Sequence, residues 1–196
     1  MKKKKVIDYS KITSKQINEE ILREKHKKRY ANLFKSTFKC LVVVVAFCAL
    51  IATLVMPVFR ISGATMYPTL NEKDIVIAIK ASKFKQGEII AFYHGNKILV
   101  KRVIACAGSF VNIDKNGVVF VDNKKIEEDY VSNLSLGDGN IVYPYQVPES
   151  TLFVLGDNRE FSLDSRNSEI GTVSEKDIVG KVILRVWPVS EIKILK

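Results

Sequence analysis

Cysteine and histidine are both scarce: the 196 residues contain three of the first and two of the second. Cys40 and Cys48 fall inside a long apolar run, which leaves Cys106 alone in everything that follows. No disulfide can therefore form within that later part. A lone cysteine between Ala105 and Ala107 reads as a small core residue rather than a nucleophile. His26 precedes the apolar run and His94 follows it, so a spanning run puts them on opposite sides of a membrane. That arrangement excludes a His-pair metal site and weakens any Ser–His–Asp scheme, and His94, in YHGN, reads as a turn residue. A phosphate-binding glycine pattern, clustered metal ligands and a basic stripe interleaved with aromatics are also missing. No cofactor, metal or nucleic-acid partner is expected.

Charge is absent from Cys40 to Phe59, CLVVVVAFCALIATLVMPVF. At about 1.5 Å per residue these residues make a helix of roughly 30 Å, the thickness of a hydrocarbon core. A cleaved secretory leader has a shorter apolar region, of about 7–15 residues, so the run reads as a retained membrane anchor. The segment before it, 1–39, holds 13 Lys and Arg against 4 Asp and Glu, and almost all of the chain's net charge of +10 sits there. Positive flanks stay cytoplasmic, which predicts a basic cytoplasmic tail, residues 1–39, touching anionic lipid. Residues 60–196 are then expected outside the cell membrane, on a single-pass anchor over residues 40–59.

Beyond Arg60 the pattern is β. IVIAIK (75–80), EIIAFY (88–93) and KILVKRVIA (97–105) are rich in β-branched residues and separated by turn signals. A short meander over 111–126 has turns at Lys115-Asn116-Gly117 and Asp122-Asn123. LFVLGD (152–157) and IVGKVILRVW (178–187) return to strand, while 127–150, rich in Gly, Ser and Pro, reads as an insertion or cap with little structure of its own. The fold class expected is mainly β: one N-terminal transmembrane helix, then a domain of mostly antiparallel, partly closed sheets.

Polar residues interrupt these strands in three places. The first is ISGATMYPTL (61–70), with three hydroxyls and no ionisable group. The second is Lys101, which strand alternation puts on the face of Leu99 and Val103 while Arg102 points the other way. One of the two must then face an apolar layer. A free lysine is neutral in only about one molecule in a thousand near pH 7.4, but burial lowers its pKa and makes the amine a usable base. The third is GDNREFSLDSR (156–166), where an extended chain puts Ser162, Asp164 and Arg166 on one face. That spacing suits a hydroxyl ligand beside an internal carboxylate–guanidinium pair.

In order along the chain, the anchor, GATMYPTL, GEIIAF, LVKRVIA, LGDNREFSLDSR, DIVGKV and WP resemble the bacterial type I signal peptidases. These are membrane-bound Ser/Lys endopeptidases that remove leader peptides from exported proteins, and the single anchor is similar to Gram-positive-type members. The resemblance covers nearly the whole chain. It implies Thr65 as nucleophile, its own N–H as oxyanion donor, and Lys101 as general base. It further implies Ser162 as the group orienting the lysine, Asp164 and Arg166 as a structural ion pair, and Met66 and Pro68 as residues that fix the turn. Ser62 and Thr69 are left without a part. Its partners would be signal peptides of exported preproteins and the lipid bilayer.

The chain departs from the family in three places. Thr65 stands where serine is usual, and its methyl restricts χ1 beside the scissile carbonyl. Gly63 stands where some members carry a serine as second oxyanion donor. The lysine strand runs on as Ala105-Cys106-Ala107-Gly108-Ser109 rather than the family's G-x-P-G-D. Two rival functions follow: a catalytically weak relative that binds exported proteins or assists their assembly, and a self-cleaving DNA-bound repressor built on the same β core. The charge-free anchor argues against the second, and the retention of Lys101 and Ser162 against the first.

Overall fold

The structure is a computed structural model, and it describes residues 14–195. The first thirteen residues of the basic tail lie outside the described residues. Helix α1 runs from Ser14 to Val55, so the apolar run and the described part of the tail are one continuous helix. Among the described residues it is the one helix long and apolar enough to cross a membrane. It stops short of Pro57, and Val58 and Phe59, expected to end the anchor, lie instead in a strand. The fixed φ and missing N–H of proline account for the stop.

The rest of the chain, from Ala52, forms its own compact unit. Among the described residues twelve strands follow in order: β1 (Val58–Arg60), β2 (Ile75–Ile79), β3 (Ile89–His94), β4 (Lys97–Cys106), β5 (Phe110–Ile113) and β6 (Val119–Val121). Then come β7 (Lys124–Lys125), β8 (Tyr145–Gln146), β9 (Thr151–Leu155), β10 (Val173–Ser174), β11 (Ile178–Trp187) and β12 (Lys193–Ile194). One sheet has the order β1-β2-β11-β3-β4-β9-β10, with β12 added to β11. The second, β7-β6-β5-β8, has four strands. Every pairing among the described strands is antiparallel.

The sequence pattern explains where the core sits. On the fully buried stretch of β3, Ile89 and Ala91 face one apolar cluster and Ile90 and Phe92 another, the period-two alternation of a strand covered on both sides. The first cluster also takes Met66 and Leu70 from the loop between β1 and β2, so that loop is packed down rather than free. A third cluster, around Ile104, Val111 and Phe153, joins the small sheet to the large one.

The 61–74 loop is closed at its neck. Ile61 N–H donates to Asp74 O at 2.8 Å and Lys73 N–H to Ile61 O at 2.9 Å. The Asp74 carboxylate accepts from Asn71 N–H (2.9 Å) and from Arg185 Nη1 on β11 (3.0 Å), with both charges buried. Arg185 also donates from Nε to Glu191 O at 2.9 Å. Removing one partner of a buried ion pair leaves a charge without compensation. Arg185→Ala should therefore destabilise the domain by about 3–5 kcal/mol, a loss that Asp74→Ala in the same chain partly relieves. Denaturation of the detergent-solubilised protein, followed by the fluorescence of its one tryptophan, Trp187, measures it.

Candidate active site

Within the 61–74 loop the chain makes a tight turn. Gly63 takes a φ of +81°, a conformation glycine enters without a Cβ penalty. Tyr67 N–H then donates to Ala64 O (3.2 Å) and Leu70 N–H to Met66 O (2.9 Å). Met66 and Leu70 are buried in the core beneath, while Tyr67 and Pro68 stay exposed. Thr65, half-buried, is thus fixed by the anchored side chain that follows it.

Lys101 comes from the middle of β4, opposite Ile90 of β3, and only 2% of it is exposed. Its Nζ donates to Ser162 Oγ at 2.9 Å. Burial is the main reason its pKa falls from 10.5 to about 8. The negative charge of Asp164 works against that fall, Arg166 adds to it, and Asp157 opposes it again. The expected alternation holds, and both neighbours are buried. Arg102, on the other face, is 4% exposed and meets Asp157 through two bonds, Nε–Oδ1 at 2.8 Å and Nη2–Oδ2 at 2.6 Å. Its guanidinium lies 3.9 Å from the centre of the Tyr130 ring.

The 156–166 segment is neither an extended strand nor an exposed charged loop. It folds through turns with Asp157, Arg159, Asp164, Ser165 and Arg166 all buried. Asp164 and Arg166 form the expected ion pair, Nε–Oδ1 at 2.8 Å and Nη2–Oδ2 at 3.0 Å. The same carboxylate accepts from Gly156 N–H at 3.0 Å. Arg166 reaches on to the carbonyls of Arg159 (2.8 Å), Ser135 (3.0 Å) and Ser162 (3.2 Å), and so shapes the turn that presents Ser162.

Thr65 and Lys101 line one cleft of about 500 Å³, whose apolar walls include Val58, Phe59, Ile61, Leu99 and Val100. Among the described residues the Thr65 hydroxyl makes no hydrogen bond, so the contact that would pass its proton to Lys101 is not formed. Such contacts often tighten only once substrate is bound.

Sequence reasoning passed over several residues that hold this arrangement. Thr69, left without a part, accepts from Arg102 Nη2 at 3.3 Å. Asn158 bonds the turn that carries Thr65 directly. Glu128 pairs with Arg159, and Tyr130 covers Arg102, so the 127–150 segment braces the site although strand β8 is its only regular element among the described residues. The packed side of that segment carried one signal, its three tyrosines, Tyr130, Tyr143 and Tyr145.

Comparison with known proteins adds a second line of evidence. The family described as "Signal peptidase, peptidase S26" matches residues 34–187. Signal peptidase IB of Staphylococcus aureus is 36% identical over 174 residues, which cover 77% of this chain and 89% of that protein. Signal peptidase I U of Bacillus subtilis is 35% identical over 151 residues, covering 69% and 78%. The solved signal peptidase I of Enterococcus faecalis gives a TM-score of 0.43 at 26% identity, over 52% of this chain and 98% of its own.

Two outcomes follow from the geometry. A general base must be neutral, and a pKa lowered to about 8 means that the neutral fraction grows as pH rises through that value. At pH 7 roughly a tenth of such lysines are neutral, against a few in ten thousand for an unperturbed one. Peptide-cleavage rate at limiting substrate should therefore climb with pH, with a midpoint near 8, and level off above it. A flat profile between pH 7 and 9 would remove Lys101 from the chemistry. The second concerns Gly156, where a Cβ would collide with Ser162 and with the Thr65 carbonyl oxygen. Gly156→Ala should cut kcat/KM by about 10²-fold, the scale of an ångström of misplacement, in steady-state cleavage assays.

Proposed function

Because the chain belongs to the signal peptidase family, peptidase S26, we propose that Thr65 and Lys101 carry out its hydrolysis of the peptide bond after a signal peptide. The enzyme is a signal peptidase, an endopeptidase that removes signal peptides from preproteins. The observation that carries the residue assignment is a desolvated Lys101, bonded to Ser162, in the same cleft as Thr65.

The reaction then has two halves. Neutral Lys101 takes the Thr65 hydroxyl proton as Oγ attacks the scissile carbonyl carbon, and the oxyanion forms against the Thr65 N–H. As the tetrahedral centre collapses, the C–N bond breaks and the Lys101 ammonium gives its proton to the departing amine. An ester of Thr65 remains. Water, deprotonated by Lys101, attacks the ester, and the Thr65 oxygen leaves with the proton returned. Ser162 accepts from the amine throughout and keeps its lone pair directed at the cleft. Asp164 and Arg166 support that geometry without touching substrate, and Gly63 contributes no donor.

The apolar cleft walls suit small uncharged side chains before the scissile bond. Single-pass anchoring by α1, with the basic tail in the cytoplasm, also belongs to this reading, supported by the charge imbalance across residues 40–59. Thr65 follows Pro57 by eight residues, a reach of at most about 29 Å, which suits substrates themselves held in the bilayer.

Purified full-length protein should cleave a preprotein after a small-x-small sequence, read by gel shift and by the new N-terminus. Thr65→Ala and Lys101→Ala should each abolish the product, and Thr65→Ser should preserve or raise the rate. If the wild type is inert and Thr65→Ser restores cleavage, the chain is a binding protein that has lost its nucleophile.

A further inference from the structure

We infer that Asn158 is a positioning residue that sets the peptide group between Ala64 and Thr65, and so aims the Thr65 N–H at the oxyanion. The inference rests on the reading of Thr65 as nucleophile. Asn158 donates twice to the turn: its side-chain Nδ2 to Ala64 O at 3.0 Å, and its backbone N–H to Thr65 O at 3.1 Å. Two successive carbonyls are thus drawn to one residue of the 156–166 loop.

Peptide planarity turns that into a statement about donors. The cis peptide bonds among the described residues all precede proline, so the Ala64–Thr65 bond is trans. In a trans peptide the C=O and the N–H point in opposite directions. Holding Ala64 O against Asn158 therefore sends the Thr65 N–H away from the 156–166 loop, and holding Thr65 O does the same for the Met66 N–H. Among the described residues neither of these N–H groups donates to another group, so both remain available to an incoming oxyanion.

This chain has particular need of such a constraint. Gly63, immediately before Ala64, has a φ of +81° with open space around it, so on that side of the turn the peptide is held by the longer Tyr67 N–H bond to Ala64 O (3.2 Å) and not by side-chain packing. It also supplies no hydroxyl, which leaves oxyanion binding to backbone N–H groups. A peptide rotated out of line would present a carbonyl oxygen to the developing negative charge, turning attraction into repulsion. The far end of the turn is held from the same place: Arg102 bonds Thr69 and is itself paired with Asp157, the residue beside Asn158.

Asn158→Asp tests the idea, because aspartate keeps the shape but offers an acceptor where Ala64 O needs a donor. In the detergent-solubilised full chain, with a fluorogenic small-x-small peptide, kcat should fall about 10–100-fold, approaching the loss of a whole oxyanion donor. KM should stay within about twofold, since the lost interaction acts only in the transition state, and kcat is compared on the high-pH plateau, where a shift of the Lys101 midpoint by the added carboxylate has no effect. A peptide aldehyde supplies the second readout. Thr65 Oγ adds to the aldehyde carbon, the hydroxyl proton passes to Lys101, and the former carbonyl oxygen becomes the oxyanion. Aldehyde affinity should drop in parallel with kcat, while affinity for the matching peptide amide, which forms no oxyanion, should hold.

Should Asn158→Asp unfold, Asn158→Ala removes the donor without adding charge and carries the same expectation. Wild-type kcat and aldehyde affinity in a folded variant would overturn the inference, as would equal losses for aldehyde and amide. A wild type that binds both ligands alike would sink the Thr65 reading, and this inference with it.

Discussion

Keeping an ammonium group out of water is the constraint around which this domain is arranged. Lys101 sits mid-strand with 2% of its surface exposed, and its desolvation holds the pKa near 8. Two carboxylates, Asp164 and Asp157, lie close enough to push it back up. Each is already committed to an arginine, Asp164 to Arg166 and Asp157 to Arg102. Arg166 lowers the lysine pKa and so offsets part of the Asp164 effect, which favours the charged amine. The Asp164–Arg166 pair thus bears on the charge of the lysine as well as on the fold, since a buried pair by itself is weak evidence for stability.

The same pairs do mechanical work between elements distant in sequence. Arg102 leaves β4 to meet Asp157 after β9, bonds Thr69 in the turn that carries Thr65, and stacks on Tyr130. Arg166 ties Ser135, Arg159 and Ser162 to Asp164. Gly156 is the point of closest approach, with the Thr65 carbonyl and Ser162 filling the space a Cβ would occupy. Thr65, Lys101 and Ser162 come from three separate segments, and a small number of guanidinium forks sets their spacing.

Strand positions were largely legible because hydrophobic alternation reports local geometry. IVIAIK, EIIAFY and KILVKRVIA all form strands within a residue or so of where the pattern puts them. The two-residue strands β10 and β12 carry too few residues for any period to register. The Asp164–Arg166 pair was legible from spacing and resemblance together. What the sequence could not convey is which partner a charge meets across a long separation. Arg159 with Glu128, and Asn158 with Ala64, depend on how two loops are brought together, and nothing in either loop alone names the other. The 127–150 segment read as an insertion or cap with little structure of its own for the same reason.

The adjacency of Lys101 and Arg102 has a consequence for how the domain reaches its native state. Two cations one residue apart point to opposite faces of β4, and each face accepts only its own. Sliding the strand by a single residue would exchange them. A guanidinium, which stays charged at any physiological pH, would then occupy the dry layer, and Asp157 would face an ammonium in place of a two-pronged fork. The misaligned strand would bury an irreducible charge and break the Arg102 pairing at once. Lys101 and its neighbour therefore also act as a proofreading mark for strand alignment, making misaligned copies unstable.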